Sequence, residues 1–193
     1  MLELLAPAGN LDAVIAAVQN GADAVYMGFG DGFNARRSAD NFTQESFAKA
    51  VRYCHIRGCK VYVTLNTLVG DREMDAAAAL AQQASDAGAD AILVQDLGLA
   101  RVLRAALPDI PLHASTQMSI HNLAGVEAAA EMGITRAVLA RELSLEQIRF
   151  ISQHASIETE VFVHGALCFC YSGQCYMSAL IGRRSGNRGA CAQ

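Results

Sequence analysis

Asn20-Gly21-Ala22-Asp23-Ala24-Val25-Tyr26-Met27 and Ala87-Gly88-Ala89-Asp90-Ala91-Ile92-Leu93-Val94 share one pattern, and it determines the architecture of this chain. In both, a glycine and an aspartate separate a helical pattern from a short apolar run. A glycine just past the last periodic residue is typical of a helix C-terminus. A continuous apolar run indicates a strand that is buried on both faces. The same transition returns at Arg57-Gly58-Cys59 and at Met132-Gly133-Ile134-Thr135, so one helix-to-strand unit recurs along the sequence.

Helical periodicity fills the intervals between the apolar runs. Apolar residues over 11–18 recur at i, i+3, i+4 and i+7, and Asn10 is placed to cap this helix. Ser144-Leu145-Glu146-Gln147 is a capping box at the start of another helix. The predicted helices are 11–18, 44–57, 73–87, 97–106, 122–132 and 144–154, and the predicted strands are 3–6, 24–27, 60–65, 91–94, 112–115, 136–139 and 160–163. Regular alternation of this kind predicts a parallel sheet covered by helices.

Two features favour a barrel over an open doubly wound sheet. The first turn, Pro7-Ala8-Gly9-Asn10, lacks the glycine-rich fingerprint of a dinucleotide site. Polar side chains follow nearly every predicted strand, as they do at the carboxyl face of a (β/α) barrel. These side chains are Tyr26, Asn66, Gln95, Asp96, His113, Ser115, Thr116, Gln117, Arg141, Glu142 and His164. We therefore predict an α/β fold, a TIM-like (β/α) barrel.

The barrel is expected to be incomplete or truncated. Seven predicted strands in 193 residues fall short of the eight strands and about 250 residues of a typical barrel. We assign residues 1–165 to the barrel. Residues 166–193, rich in cysteine, glycine and arginine, form a segment at its mouth and the start of a region that continues beyond the chain. An exposed sheet edge invites pairing, so a homo-oligomer is a further expectation.

Composition restricts the class of protein. Apolar residues make up 52% of the chain and charged residues 18%, and no apolar run reaches the roughly 20 residues of a membrane span. The N-terminus lacks a signal-peptide pattern, which predicts a cytoplasmic protein with reduced cysteines. A net charge of −4 argues against nucleic-acid binding through bulk charge. The arginines within 182–189 and at Arg36-Arg37 are either solvated loop residues or local contacts for phosphate or carboxylate groups.

The six cysteines fall into two kinds. Cys54 and Cys59 lie in predicted regular structure and are expected to be inert core residues. The others, Cys168, Cys170, Cys175 and Cys191, lie in a segment without helical or strand period, which predicts loop at the barrel mouth.

Three chemistries could use these loop thiols. Zinc sites favour paired cysteines, so zinc is the weaker metal. An iron–sulfur cluster accepts irregular spacing, and Cys168, Cys175 and Cys191 fit it, with Cys170 as a fourth ligand or a bystander. A nucleophilic cysteine with His164 or His113 as its base would leave the other thiols unexplained.

The C-terminal third carries a recognisable signature. The C-terminal residues Glu160, Phe162, Gly165-Ala166-Leu167-Cys168, Gly173, Cys175 and Met177-Ser178 together resemble the signature of peptidase family U32, the collagenase-like peptidases. The similarity extends over essentially the whole chain. It includes Leu4-Leu5-Ala6-Pro7-Ala8-Gly9, Gly21-Ala22-Asp23-Ala24-Val25-Tyr26, Val63-Thr64-Leu65-Asn66-Thr67, His113-Ala114-Ser115-Thr116-Gln117 and Leu139-Ala140-Arg141-Glu142-Leu143.

The resemblance implies one of two activities. Some members of the family are named as proteases. Others are oxygen-independent hydroxylases, which include prephenate-dependent enzymes that act on RNA and ubiquinone-pathway enzymes with a 4Fe-4S cluster held by four cysteines. Cys168, Cys175 and Cys191 match three of those ligands. The fourth would lie beyond this chain, and Cys170 matches none. Residues 113–117 and 171–176 are most similar to the RNA-hydroxylase branch.

We therefore expect an iron–sulfur-dependent hydroxylase of tRNA or 23S rRNA that uses prephenate, with RNA as the partner of the full-length protein. His113, Gln117, Arg141, Glu142 and His164 are the expected lining of the site. Arg141 suits a carboxylate such as that of prephenate because a guanidinium binds it in bidentate fashion. His164 or Glu142 could move protons. The alternatives are a peptidase with Cys168 or Cys175 as nucleophile and a non-catalytic binding scaffold.

Overall fold

The computed structural model of this chain describes residues 2–30, 32–35, 41–165, 168 and 170–191. Its centre is one sheet of seven parallel strands in which each strand pairs with the next along the chain. The strands are β1 (Leu5–Pro7), β2 (Ala24–Met27), β3 (Lys60–Leu65), β4 (Ala91–Val94), β5 (Leu112–Ala114), β6 (Arg136–Val138) and β7 (Glu158–Glu160).

The sheet curls into a half-barrel. Glu3 precedes the first strand, yet its Oε1 lies 2.5 Å from Nη1 of Arg136 on β6. A flat sheet would hold these residues five strands apart, at about 4.8 Å per strand. The predicted TIM-like architecture is therefore confirmed as seven parallel strands that curl in chain order, with helices between them.

The helices lie between successive strands, as the periodicity predicts. They are α1 (Leu11–Gln19), α2 (Gln44–His55), α3 (Met74–Asp86), α4 (Leu97–Ala106), α5 (Leu123–Glu131), α6 (Leu145–His154) and α7 (Met177–Gly182). The two predicted caps are confirmed. Asn10 Oδ1 accepts the Ala13 amide at 2.9 Å, and Ser144 and Gln147 form the reciprocal capping box.

The recurring glycine occupies the same conformation in each unit. Gly21, Gly58, Gly88 and Gly133 have φ values of 88°, 71°, 97° and 81°. This left-handed region favours glycine, and it turns the chain from the end of a helix into the next strand. The sequence repeat thus corresponds to one repeated turn, in which a glycine with positive φ links a helix to the next strand.

Alternate strand residues face two different layers. Residues such as Val61, Ile92 and Leu112 are fully buried between the sheet and the helices. A smaller cluster, formed by Ala24, Tyr62, Ala91, Leu93 and Val138, fills the inner side of the half-barrel. The period of two along each strand accounts for this division.

In the C-terminal third, one expectation is wrong and another holds only in part. The last strand is Glu158–Glu160 instead of 160–163, and the side chain of Val163 is 85% exposed. The register of this last strand follows from its pairing with β6, where Arg136 stands opposite Glu158. The loop prediction for the cysteine segment holds in part, because Cys168, Cys170, Cys175 and Cys191 lie outside helices and strands, whereas the stretch between the last two contains the helix α7. No helix in the described ranges is long and apolar enough to cross a membrane.

Candidate active site

Segments that follow β5, β6 and β7 meet at the carboxyl end of the half-barrel. These segments comprise residues 115–121, 139–142 and 171–174, and hydrogen bonds join all three. Carboxyl ends of parallel strands lie on one edge of a sheet, so the loops that follow them are brought together by the fold.

Ser172 and Glu142 form the centre of this region. The Ser172 amide donates to Glu142 Oε1 at 2.8 Å, and the Ser172 hydroxyl donates to Glu142 Oε2 at 2.8 Å. The amide and Nε of Arg141 donate to the Ser172 hydroxyl at 3.3 and 3.2 Å. Partial burial alone would raise the pKa of Glu142, but its hydrogen bonds from Ser172 and His121 lower the pKa below its usual value. The group is a carboxylate with both oxygens occupied.

His121 extends the network on the other side of the carboxylate. Its Nε2 lies 3.0 Å from Glu142 Oε1, and its Nδ1 lies 2.5 Å from the Ser119 carbonyl oxygen. The ring also packs against Tyr171, with 5.9 Å between the centroids. This is not the arrangement of a serine hydrolase. There the hydroxyl donates to an imidazole, whereas Ser172 is fully buried and donates to the carboxylate.

A tight turn holds Ser172 in place. The Gln174 amide donates to the Tyr171 carbonyl at 3.1 Å, and Gly173 has a φ of +74°. A Cβ on Gly173 would lie 2.1 Å from the carbonyl oxygen of Gln117, so only glycine allows this approach. The hydroxyl of Ser119 donates to the Ser172 carbonyl. The turn is therefore pressed directly onto the loop that follows β5.

The turn brings thiols together. The Cys170 thiol lies next to those of Cys175 and Cys168, and the hydrogen bond with Cys175 raises the pKa of Cys170. Cys191 is exposed. Within the described residues, no three His, Cys, Asp or Glu side chains stand in an arrangement that holds a metal ion. The soft sulfur donors suit an iron–sulfur cluster in type.

The other two cysteines behave as the sequence suggests. Cys54 and Cys59 are buried in the layer between sheet and helices. Burial raises the pKa of Cys54 to about 12. A buried thiol with a raised pKa is inert at neutral pH.

The structure brings three of the five predicted polar residues together. Arg141 and Glu142 contact Ser172, and Gln117 lies beneath Gly173. His164 is exposed beyond the end of β7. The roles of all five stay predictions.

His113 lies elsewhere, inside the half-barrel on β5, where its ring meets Tyr62 edge-on at 4.9 Å. Burial and the neighbouring Arg136 lower the pKa of His113 to about 3. Its Nδ1 has no hydrogen-bond partner among the residues that the structure describes.

Sequence reasoning missed Ser172, His121 and Ser119. His121 follows its strand by seven residues, and Ser172 lies between two cysteines. The position of Ser172 between thiols is the one signal in the sequence that could have drawn attention to it.

Comparison with known proteins identifies the family. The family model described as Peptidase family U32 matches residues 9–193. The chain belongs to this family. Among solved structures it is similar to that of a U32 peptidase, with a TM-score of 0.72 and 18% identity, covering 88% of this chain and 71% of that one. This likeness supports the fold.

Curated members of the family are more similar in sequence. The chain is 45% identical over 192 residues to the 23S rRNA 5-hydroxycytidine synthase of Escherichia coli (strain K12), covering 100% of this chain and 29% of that protein. It is 41% identical over 191 residues to tRNA hydroxylation protein P1 of Bacillus subtilis (strain 168), covering 99% and 45%. A collagenase of Porphyromonas gingivalis is 36% identical over 203 residues, covering 99% and 48%. The chain thus spans less than half the length of these relatives.

Proposed function

We propose that this chain is the barrel portion of an RNA hydroxylase of family U32, with tRNA or 23S rRNA as substrate. The supporting observation is the 45% identity to an rRNA 5-hydroxycytidine synthase, which extends along the entire chain. The relative named as a collagenase is less similar, at 36%. Three loops meet at the carboxyl end of the strands, where barrel enzymes place their reacting groups.

The proposed cofactor is a 4Fe-4S cluster held by Cys168, Cys175 and Cys191, with a fourth ligand outside this chain. Cys168 and Cys175 both lie next to the Cys170 thiol, so their sulfur atoms share one region. Cys170 lies in the same region, although it matches no ligand of the family signature. A bound cluster would supply the electron-transfer chemistry of the hydroxylation.

The polar residues have separate tasks in this proposal. Arg141 is exposed, and its guanidinium is suited to hold a carboxylate such as that of prephenate as co-substrate. Glu142 is an acceptor that orients Ser172 and His121. His164 is exposed and could exchange protons with bound substrate. Gln117 supports the turn at Gly173 through its backbone, and His113 shapes the interior beneath the site.

The test is nucleoside analysis of RNA from two Escherichia coli strains. One lacks the 23S rRNA 5-hydroxycytidine synthase, and the other lacks the tRNA hydroxylation protein P that this chain also resembles at 38% identity. The gene that encodes this chain is expressed in each. We expect one hydroxylated pyrimidine nucleoside to return, as measured by mass spectrometry of digested RNA. If neither nucleoside returns while folded protein accumulates, and gelatin is hydrolysed instead, the peptidase alternative replaces this proposal.

A further inference from the structure

The thiol turn, residues 170–175, is fixed to the barrel mainly through one buried residue, Ser172, and the Gln174 side chain adds a hydrogen bond to the Ser119 hydroxyl at 3.2 Å. Tyr171 within the turn and Tyr176 just after it are 67% and 70% exposed, whereas Ser172 is 0% exposed. Buried polar groups in folded proteins usually have hydrogen-bond partners. Every polar group of Ser172 has a partner: its amide and hydroxyl reach Glu142, and its carbonyl accepts the Ser119 hydroxyl.

Glu142 is the barrel side of this attachment. It lies in the segment after β6, where the Leu139 amide donates to the Glu160 carbonyl and the Ala140 amide donates to the Ile120 carbonyl. The Glu142 side chain receives both donors of Ser172. A carboxylate accepts two such bonds at once, whereas an amide in its place offers one acceptor oxygen. Hydrogen bonds to a charged acceptor are also stronger than neutral ones. Glutamate is therefore the residue type that this attachment requires.

We propose that Ser172 and Glu142 are positioning residues that hold the thiol turn against the carboxyl end of the half-barrel, so that Cys170 and Cys175 face each other there. The proposal deepens the proposed function, because Cys175 is one of the assigned cluster ligands. The contacts themselves do not depend on that function. Substitution of either partner removes hydrogen bonds that hold the turn, and neither residue belongs to a strand of the barrel.

The chain contains a matched control for this pair. The amide and hydroxyl of Ser156 donate to the two oxygens of Glu127 at 2.9 and 2.6 Å. This is the same pair of bonds between the same residue types, between the segment before β7 and helix α5, and no cysteine belongs to either element. Glu127→Gln and Ser156→Ala therefore remove equivalent bonds away from the thiols.

The first measurement is the alkylation rate of each cysteine in the folded protein, followed by peptide mass spectrometry. In Ser172→Ala and in Glu142→Gln we expect Cys170 and Cys175 to react about tenfold faster, the scale of one charged hydrogen bond. The double variant should react no faster than the more reactive single one, because the two residues act as one unit. Cys54 and Cys59 should stay protected, and the control variants should match the parent protein.

Cobalt(II) titration tests whether the attachment also positions the thiols. Thiolate ligands give Co²⁺ a charge-transfer absorption, and we expect both site variants to need about tenfold more Co²⁺ for half-maximal signal, since loss of a supporting residue typically costs about 10- to 100-fold in metal affinity. Unchanged alkylation of Cys170 and Cys175, or equal acceleration at Cys54, would overturn the attachment. An unchanged cobalt titration would overturn the positioning role.

The two proposals fail in different ways. If alkylation and cobalt binding change in Ser172→Ala but the hydroxylated nucleoside persists at its parental level, the attachment stands and the use of these thiols in hydroxylation is wrong. If the nucleoside never forms even with the parent chain, the proposed function is wrong, and the alkylation result is unaffected.

Discussion

His113 shows how one buried residue links the fold to pH. It is neutral in the folded chain, because burial and Arg136 lower its pKa to about 3. The ordinary histidine pKa is about 6.5. Between these values the unfolded chain binds a proton that the folded chain does not, so stability is complete above pH 6.5 and is lost as pH falls.

We therefore expect the free energy of unfolding to decrease from pH 6 to pH 5 by up to about 1.4 kcal/mol per pH unit from this residue. Urea unfolding at pH 7, 6 and 5 measures the slope. His113→Gln should flatten it, whereas the exposed His154→Gln should leave it unchanged. Glu3 is partly buried, which would raise its pKa, but hydrogen bonds from Arg136, Tyr62 and Lys60 hold the pKa at about 2. Its contribution to stability is therefore lost only below about pH 4.5. Equal slopes in the parent and His113→Gln would contradict this assignment.

Gly173 is the residue on which the thiol turn depends. Gly173→Ala adds a Cβ that would stand 2.1 Å from the Gln117 carbonyl oxygen and also forces alanine to a φ of +74°. We expect the turn to move away from the barrel and Cys170 and Cys175 to react faster with alkylating agents. Gly21→Ala is the control, since its φ is +88° and its Cβ would meet nothing within 4 Å. It should cost about 1 kcal/mol in urea unfolding and leave both thiols unaffected. Equal alkylation in the two variants would refute the steric argument.

Arg141 is the residue that we expect to decide co-substrate binding. Arg141→Ala should lower the modified fraction of the RNA by about tenfold or more, and Arg141→Lys should restore only part of it, because lysine lacks the planar fork. The measurement is the nucleoside ratio in the complemented strain. Arg149→Ala, an exposed residue of α6, is the control. A lysine variant as active as the parent would show that a point charge is sufficient.

Some of these single residues could be predicted from the sequence. Arg141 and Glu142 were expected at the mouth because a residue that follows a parallel strand must lie at the carboxyl edge. The contact between Ser172 and Glu142 could not be predicted, since the two residues are 30 positions apart in the sequence. That contact depends on the backbone conformation at Gly173, which is set by the surface it approaches.

Elements within the sheet were predicted more accurately than those at its edge. The bounds of β2, β3, β4 and α4 agree with the sequence pattern to the residue. A glycine turn precedes each of these strands. The strands are buried on both faces, so the apolar run and the strand coincide. β7 lies at the edge of the sheet, where Arg136 pairs with Glu158 and Glu160 at 2.6 and 3.6 Å. Charge pairing, which a hydrophobic pattern does not report, sets its register.

The arginine-rich segment is attached to the barrel by one of its three arginines. Arg188 donates to both oxygens of Glu73 at 2.9 and 2.7 Å, and to the Leu68 carbonyl at 2.8 Å. Of the two alternatives for the arginines within 182–189, solvated residues or contacts with phosphate or carboxylate groups, Arg188 follows the second, with a carboxylate of the chain itself. Arg183 and Arg184 remain exposed.

We expect Arg188→Met to detach this segment and to accelerate tryptic cleavage after Arg183 and Arg184 in the native protein. The bidentate geometry is lost with the guanidinium, and proteolysis follows local opening. Cleavage is followed by mass spectrometry over time. Arg57→Met, which removes a guanidinium stacked on Tyr53 in another part of the molecule, is the control. Equal cleavage rates in both variants would show that Arg188 does not restrain the segment.

The interior of the half-barrel is polar at the amino ends of its strands. Arg136 on β6 joins Glu3 before β1 to Glu158 and Glu160 on β7. These contacts cross the inner side of the sheet, where a closed barrel would pack layers of side chains. The curl is therefore held by charge as well as by the small apolar cluster around Tyr62.

The open edges determine how the whole molecule is expected to associate. In the part of the chain that the structure describes, β1 and β7 are the two ends of the sheet. Glu158 and Glu160 direct their backbone groups to β6, so those of Thr159 face the open side. Unpaired backbone groups on an edge strand invite pairing with another chain.

We expect the sedimentation coefficient to rise with protein concentration. Thr159→Pro should suppress this rise, because proline removes the N–H that faces outward and leaves the backbone bonds to β6 in place. Ser152→Ala controls for loss of the hydroxyl contact between Ser152 and Thr159. If the parent chain sediments as a monomer at every concentration, the edge does not pair. If Thr159→Pro associates as strongly as the parent, the contact lies on another surface.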